Sequence, residues 1–175
     1  ATRSIGWSGR RWAPYSDGRW IWQEPWGWTW VDEAPWGFAP FHYGRWAQVG
    51  GRWGWIPGPR ADRAVYAPAL VAFIGGGGWG ISFTPGGGVA IGWFPLGPRD
   101  VYMPSYHVSE NYFTRVNLSN TIVNNTTIVN VYNDYSRADG SVGQQNYVNR
   151  GVAAAVTAVP SEVFAGAKPV RQGAV

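Results

Sequence analysis

His42, His107, ten carboxylates and no cysteine are what this chain offers for general acid–base or metal chemistry. The two histidines lie 65 residues apart, and nothing in their spacing makes a metal-ligand pair. Without cysteine, thiolate metal sites and disulfides are excluded. Ser4, Ser8, Ser16, Ser82 and Ser105 sit in no strand–turn–helix context of the kind that exposes a nucleophile. A glycosidase-type carboxylate pair would have to come from Glu24, Asp32, Glu33, Asp100 or Glu110. The first three fall at turn signals, where charge is expected anyway. The glycine runs at 75–78 and 86–88 could aim backbone N–H groups at a phosphate, but neither is followed by Lys-Ser/Thr or by a helical pattern. The residues therefore read as a non-enzyme, with no metal and no cofactor.

What the chain has in quantity is indole: 13 Trp in 175 residues, eleven of them before residue 56. Trp20 and Trp22 are two apart, as are Trp28 and Trp30, and Trp53 and Trp55. Two is the period of a β-strand, so both rings of each pair leave the same face. Turn signals separate them: Ser16-Asp17-Gly18, Glu24-Pro25-Trp26-Gly27, Ala34-Pro35-Trp36-Gly37 and Gly50-Gly51. The stretch is also a degenerate repeat. Gly18-Arg19-Trp20 through Trp28 aligns with Gly44-Arg45-Trp46 through Trp55, and Gly9-Arg10-Arg11-Trp12 looks like an eroded copy.

These spacings predict an all-β fold, an antiparallel meander of short Trp-rich strands with Gly/Pro turns and little helix. The apolar run 64–74 favours a buried strand, because Pro68 and several β-branched residues argue against a helix. Residues 79–83 and 89–94 read as a hairpin, and 95–112 as irregular. From Val116 to Tyr132 the composition turns to Asn, Thr, Val and Ile, with no Pro, Gly or charge. High β-propensity makes this an extended arm, with Val116, Leu118, Ile122, Val123, Ile128, Val129 and Val131 as its apolar positions. It pairs either with the chain's own sheet or with a neighbour's, or folds back as a hairpin at Asn124-Asn125. Asp139-Gly140 marks a tight turn, 153–159 is strand or helix, and Ser161 after Pro160 caps a one-turn helix. The chain divides into a Trp/Gly-rich β domain over 1–100, an irregular segment with the arm over 101–150, and a C-terminal segment over 151–175.

The net charge is +4, from 13 Arg and one Lys against 10 acidic residues. Four surplus charges, spread evenly, are too few for a nucleic-acid interface, aromatic content notwithstanding. No apolar run is long enough to span a membrane.

The Gly-Arg-Trp and Pro-Trp-Gly-Trp repeats, the string from Pro35-Trp36-Gly37-Phe38 to Gly44-Arg45-Trp46, the Gly92-Trp93-Phe94-Pro95 stretch and the later Val/Asn/Thr tract resemble a tryptophan-rich family of bacterial envelope proteins. Members often sit beside FecR-like domains, and the family has no assigned activity. The resemblance implies an extracellular or cell-surface setting with the signal peptide removed, and a processed product or fragment, since the FecR-like portion is missing. It carries over no catalytic residue.

Two functions fit. One is a structural protein that self-assembles, as a homo-oligomer or homopolymer, into a filament or surface layer through aromatic strands and an exchanged β arm. The alternative is a cell-envelope carbohydrate-binding module that stacks polysaccharide on indoles, Trp20, Trp22, Trp28, Trp30, Trp46, Trp53 and Trp55 being the candidates. Where those rings point separates the two.

Overall fold

Cross-strand indole pairing builds the first hairpin. Strand β2 (Gly18–Gln23) lies antiparallel to β3 (Gly27–Asp32), with Trp20 opposite Trp30 and Trp22 opposite Trp28. The computed structural model describes residues 3–4, 12–60, 63–74, 90–137 and 146–174. A second sheet, in the order β1-β5-β4, joins β1 (Arg3–Ser4), β5 (Arg52–Ile56) and β4 (Arg45–Val49). Its Gly50-Gly51 turn has φ of 57° and 76°, the left-handed conformation that a two-residue hairpin turn demands and glycine supplies without strain. The third sheet joins β6 (Val71–Ile74), β7 (Ala90–Pro95) and β8 (Thr157–Pro160). The helices among the described residues are α1 (Ala39–His42), α2 (Glu110–Asn120), α3 (Asn125–Arg137) and α4 (Ser161–Ala165). Short 3-10 turns occupy Ala153–Ala155 and Val170–Gln172.

The antiparallel sheets of short Trp-rich strands match the sequence reading, but among the described residues they are three small sheets within a mixed fold rather than one meander. The correction concerns 116–132. The segment is two helices, not an extended β arm. Phe113, Val116, Asn117 and Asn120 are buried on α2, and Ile128, Val131 and Tyr135 on α3, both at helical spacing. A strand would alternate faces and could not bury these sets together. Packing of two apolar stripes overrides β-propensity, which is a weak, context-dependent term. Ser109 caps α2 by accepting from Tyr112 N, and Asn124, expected at a hairpin turn, accepts from Thr126 N ahead of α3. The glycine runs, residues 79–83, Asp139-Gly140, Ser8, Ser82 and most of the eroded N-terminal copy lie outside the described residues.

The main core is aromatic. Trp20 packs against Trp30 at 5.3 Å, Trp93 at 5.4 Å and Phe164 at 5.3 Å between ring centroids, the first two edge to face. Phe41 and Trp46 extend it, with Trp12 and Trp36 half-buried at its margin. Phe164 comes from α4, and β8 pairs with β7, so the core crosses the segments that the sequence divides. A second cluster, Val101, Val108, Phe113, Ile128, Val131 and Tyr135, joins α2 to α3. A third, Ala67, Leu70, Leu96, Tyr102 and Val116, seats α2 on the sheets.

Amide side chains hold that junction together. Asn117 Oδ1 accepts from Tyr102 N (2.7 Å) and Arg45 Nη2 (3.3 Å), and its Nδ2 donates to Tyr102 O and Phe113 O. Asn120 accepts from Gly44 N and donates to Val65 O, while Asn149 donates to Trp46 O and Pro95 O. Each amide ties two distant chain segments in a dry setting, where unmade bonds are costly.

Asn117→Leu keeps the branched outline while adding some volume, and orphans the Tyr102 backbone and one Arg45 donor. Urea denaturation should show a loss on the order of 3 kcal/mol; a loss under about 1 kcal/mol would mean that water replaces the amide. The indoles give a second comparison. Trp93 Nε1 donates to Tyr15 O at 2.9 Å, whereas Trp20 Nε1 is buried with no partner among the described residues. Both Trp→Phe changes open similar cavities, so Trp93→Phe should destabilise by about 1 kcal/mol more than Trp20→Phe.

Candidate functional site

The side chains that could do acid–base chemistry are occupied structurally or stand alone. His42 is buried, with Nδ1 2.8 Å from Ala67 O, so that nitrogen donates to the carbonyl; burial lowers its pKa and keeps the ring neutral. It is a core histidine beneath Phe38. His107 is exposed. Asp100 accepts from Gly97 N at 2.7 Å and from Val148 N, closing a turn. Glu110 occupies the first turn of α2, where negative charge suits the helix N-terminus. Glu33 meets Arg19 at 3.4 Å, and Asp17 meets Arg171 at 2.8 Å. Asp32 accepts from Trp30 Nε1 and Ala34 N, both at 2.8 Å. Burial, with Asp17 and Glu33 nearby, pushes its pKa up to about 6 in spite of those donors. Among the described residues no group of three His, Asp or Glu could hold a metal.

Of the seven candidate indoles, Trp20, Trp30, Trp46 and Trp53 are buried, and Trp28 and Trp55 are half-buried. Trp22 alone is well exposed, at 58%. Most rings therefore serve the core. The apolar positions of the expected arm divide similarly: Val116, Ile128 and Val131 are buried, Val123 and Val129 half-buried, Leu118 and Ile122 exposed.

One exposed ring and several half-buried ones cluster where the β2–β3 turn meets α1 and α2. Phe38, just ahead of α1, is 63% exposed. It lies parallel to Tyr66 (5.9 Å, 14°) and over His42 (4.3 Å, 31°), and His42 itself stacks on Tyr66 (5.0 Å, 21°). Trp26, from the hairpin turn, meets Tyr66 edge-on at 5.1 Å and Tyr112 of α2 at 5.9 Å. Tyr112 donates its hydroxyl to Tyr66 O at 2.9 Å, which pins α2 to this segment. Burial raises the pKa of Tyr66, Tyr106 and Tyr112, so all three phenols are neutral donors at neutral pH.

The result is a ledge of fixed rings, polar at their edges and apolar on their faces. Its sequence signal was only partial. Trp26 and Phe38 belong to the turns of Pro-Trp-Gly-Trp and Pro-Trp-Gly-Phe, but the motif does not decide exposure: Trp36 of the second turn packs against the main core, and period-two Trp22 is exposed. Tyr66, Tyr106 and Tyr112 carry no such signal, because separate chain segments bring them there.

The profile of a family of unknown function (DUF6600) matches residues 5–100, more than half of the chain. Trp26, Phe38 and Tyr66 lie within the match; Tyr106 and Tyr112 lie beyond it. No curated protein matches, and no solved structure does.

Asp32 makes the pH dependence testable. Its folded pKa lies above the unfolded value, so its protonation stabilises the fold below about pH 4, and that contribution is lost as pH rises through about 6. Asp100 is shifted the same way by burial, so Asp32→Asn should lessen, not abolish, the decline in urea midpoint between about pH 4 and about pH 7. An unchanged slope would show that Asp32 titrates normally.

Proposed function

The chain belongs to the DUF6600 family, whose function is unknown, and we propose that it is a carbohydrate-binding module that stacks sugar rings on the Phe38–Tyr66–Trp26 ledge. The observation that carries this reading is Phe38 itself: a large apolar ring left in water, yet held flat against two other rings. Pyranose rings present flat C–H faces that match aromatic faces, while their hydroxyls suit the phenol and backbone groups at the rim. A ring already locked by its neighbours loses little conformational freedom on binding, so more of the contact energy appears as affinity. The cell-envelope setting implied by the family resemblance belongs to the same proposal, because polysaccharide is abundant there.

Self-assembly finds less support. Residues 110–120 and 125–137 are helical, so a filament would need some contact other than an exchanged strand. Most candidate indoles are already used inside the molecule.

Affinity electrophoresis through gels containing soluble β-glucan or glycol chitin tests the proposal. Wild type should be retarded, and Phe38→Ala should bind about tenfold more weakly, equivalent to ~1.4 kcal/mol, with an unchanged urea midpoint. Free migration of wild type in every gel, or equal retardation of the variant, would overturn it.

A further inference from the structure

We propose that the link between α2 and α3 is a docking tip for an anionic membrane surface, with Leu118 and Ile122 entering the interface while nearby arginines meet the lipid phosphates. The proposal shares no residue with the ledge and does not depend on the carbohydrate reading.

The apolar part of the tip is left in water. Ile122 is 75% exposed in the link 121–124, and Leu118 on the last turn of α2 is exposed too. Thr121 ends α2 in an extended conformation, with φ of −156°, which takes the chain out of the helix just before Ile122. Around them Asn124, Asn125, Thr126 and Thr127 are exposed and uncharged. The turn 97–100 is tied to the same place, because Arg99 N donates to Thr121 Oγ1 at 3.0 Å. That turn also holds Val148, 58% exposed, whose N–H donates to the Asp100 carboxylate at 3.3 Å.

Positive charge gathers at this end of α2. Arg115 precedes Leu118 by three residues, which puts both on one face of the helix. Gly58 lies against Ser119 O and Asn120 Cα, while Val65 N donates to Ser119 Oγ and Val65 O accepts from Asn120 Nδ2. The stretch carrying Arg60 and Arg63 therefore leaves from the end of α2 and returns to it. Arg60, Arg63, Arg99 and Arg115 are exposed, and none is in an ion pair among the described residues.

Little acid opposes them. Asp62 is the one acidic residue in the sequence of that stretch. Asp100 is buried and spends its oxygens on Gly97 N and Val148 N. Glu110 and Asp134 stand at the ends of α2 and α3 remote from the link. The negative end of the α2 dipole supplies about half a charge, well short of what four guanidiniums could neutralise.

Apolar side chains in water beside unpaired arginines suit a surface that offers phosphate outside and hydrocarbon beneath. A protein partner needs roughly 800 Å² of complementary surface a side, whereas a few projecting side chains suffice for shallow insertion once headgroups hold the arginines. No helix of the described residues is long and apolar enough to cross a membrane, so the contact is with the surface.

Flotation of the full chain with vesicles of phosphatidylcholine alone, or with about one third phosphatidylglycerol, tests the proposal. Wild type should float with the anionic vesicles, stay behind with the neutral ones, and come off as salt rises from about 0.05 to 0.5 M. Arg99→Gln should weaken partitioning about fivefold. The double change Leu118→Gln and Ile122→Asn should weaken it about tenfold or more, with urea midpoints unchanged in both variants. The chain has no cysteine, so Ile122→Cys and Val49→Cys can each carry a single environment-sensitive dye. The dye at 122 should shift to the blue on anionic vesicles; the dye at 49, equally exposed at 75% on the far end of β4, should not. Wild type that ignores anionic vesicles, or floats as well with neutral ones, overturns the proposal. A double variant that binds like wild type, or a dye at 122 that still reports water in the bound state, does the same. Self-association of wild type without vesicles, lost in the double variant, would assign the tip to a second copy of the chain instead.

Discussion

Arg45 is fully buried, and its guanidinium is surrounded by carbonyls rather than paired with a carboxylate. Its Nε and Nη2 donate to Asp100 O at 3.2 and 2.9 Å, Nη1 to Gly44 O at 3.0 Å, and Nη2 also to Asn117 Oδ1 at 3.3 Å. Desolvation lowers its pKa to about 10, which leaves it charged at neutral pH. A charge removed from water is costly unless several well-placed dipoles replace the solvent. Here the dipoles come from residues 44, 100 and 117, three segments that only the folded chain brings together. The charge therefore penalises any arrangement in which α2 is not seated on β4. The consequence reaches the surface, because a seated α2 places Tyr112 where it can meet Trp26 and bond Tyr66.

The indoles differ in how their polar edge is satisfied, and Trp53, like Trp20, is buried with no partner for Nε1 among the described residues. Trp30, Trp46 and Trp93 each find an acceptor within the core, at Asp32, Pro40 and Tyr15 respectively, and are buried. Trp20 is buried without one and is compensated by four neighbouring rings, Trp30, Phe73, Trp93 and Phe164. Trp22 finds its acceptor outside, in the exposed Glu24, and remains at the surface. Phe38 has no polar edge to satisfy and stays exposed because the short α1 turns it away from the core while Tyr66 and His42 hold its face. An interior saturated with aromatics thus coexists with a small outward-facing set that is just as rigid. That combination of rigidity and exposure is what makes the ledge a recognition surface in the reading proposed here.

Much of the strand architecture was legible beforehand because it is encoded by local rules. Trp20/Trp22 and Trp28/Trp30 at period two specified a hairpin with four indoles on one face, and Gly50-Gly51 specified the turn of the next. Pro160-Ser161 marked where α4 starts, although Ser161 is its first residue and no side chain caps it. Residues 116–132 are rich in β-branched residues and asparagines, which favour an extended reading locally although the segment folds as helices. The 3–4 spacing of Phe113, Val116, Asn117 and Asn120, and of Ile128, Val131 and Tyr135, was present throughout. Asn117 and Asn120 each make long-range bonds that no local pattern announces.

The sequence by itself determined the tryptophan hairpins, the turns between them and the absence of any recognisable catalytic motif, since spacing, glycine conformation and residue type act over a few residues. Tertiary structure decided that 110–120 and 125–137 pack as helices rather than extending as a strand, that Arg45 is buried among carbonyls, and that Trp26, Phe38, Tyr66 and Tyr112 meet. Those outcomes depend on contacts between segments far apart in the chain. Their energies arise from burial and from satisfying polar groups in a dry interior, terms that exist only once the segments have met.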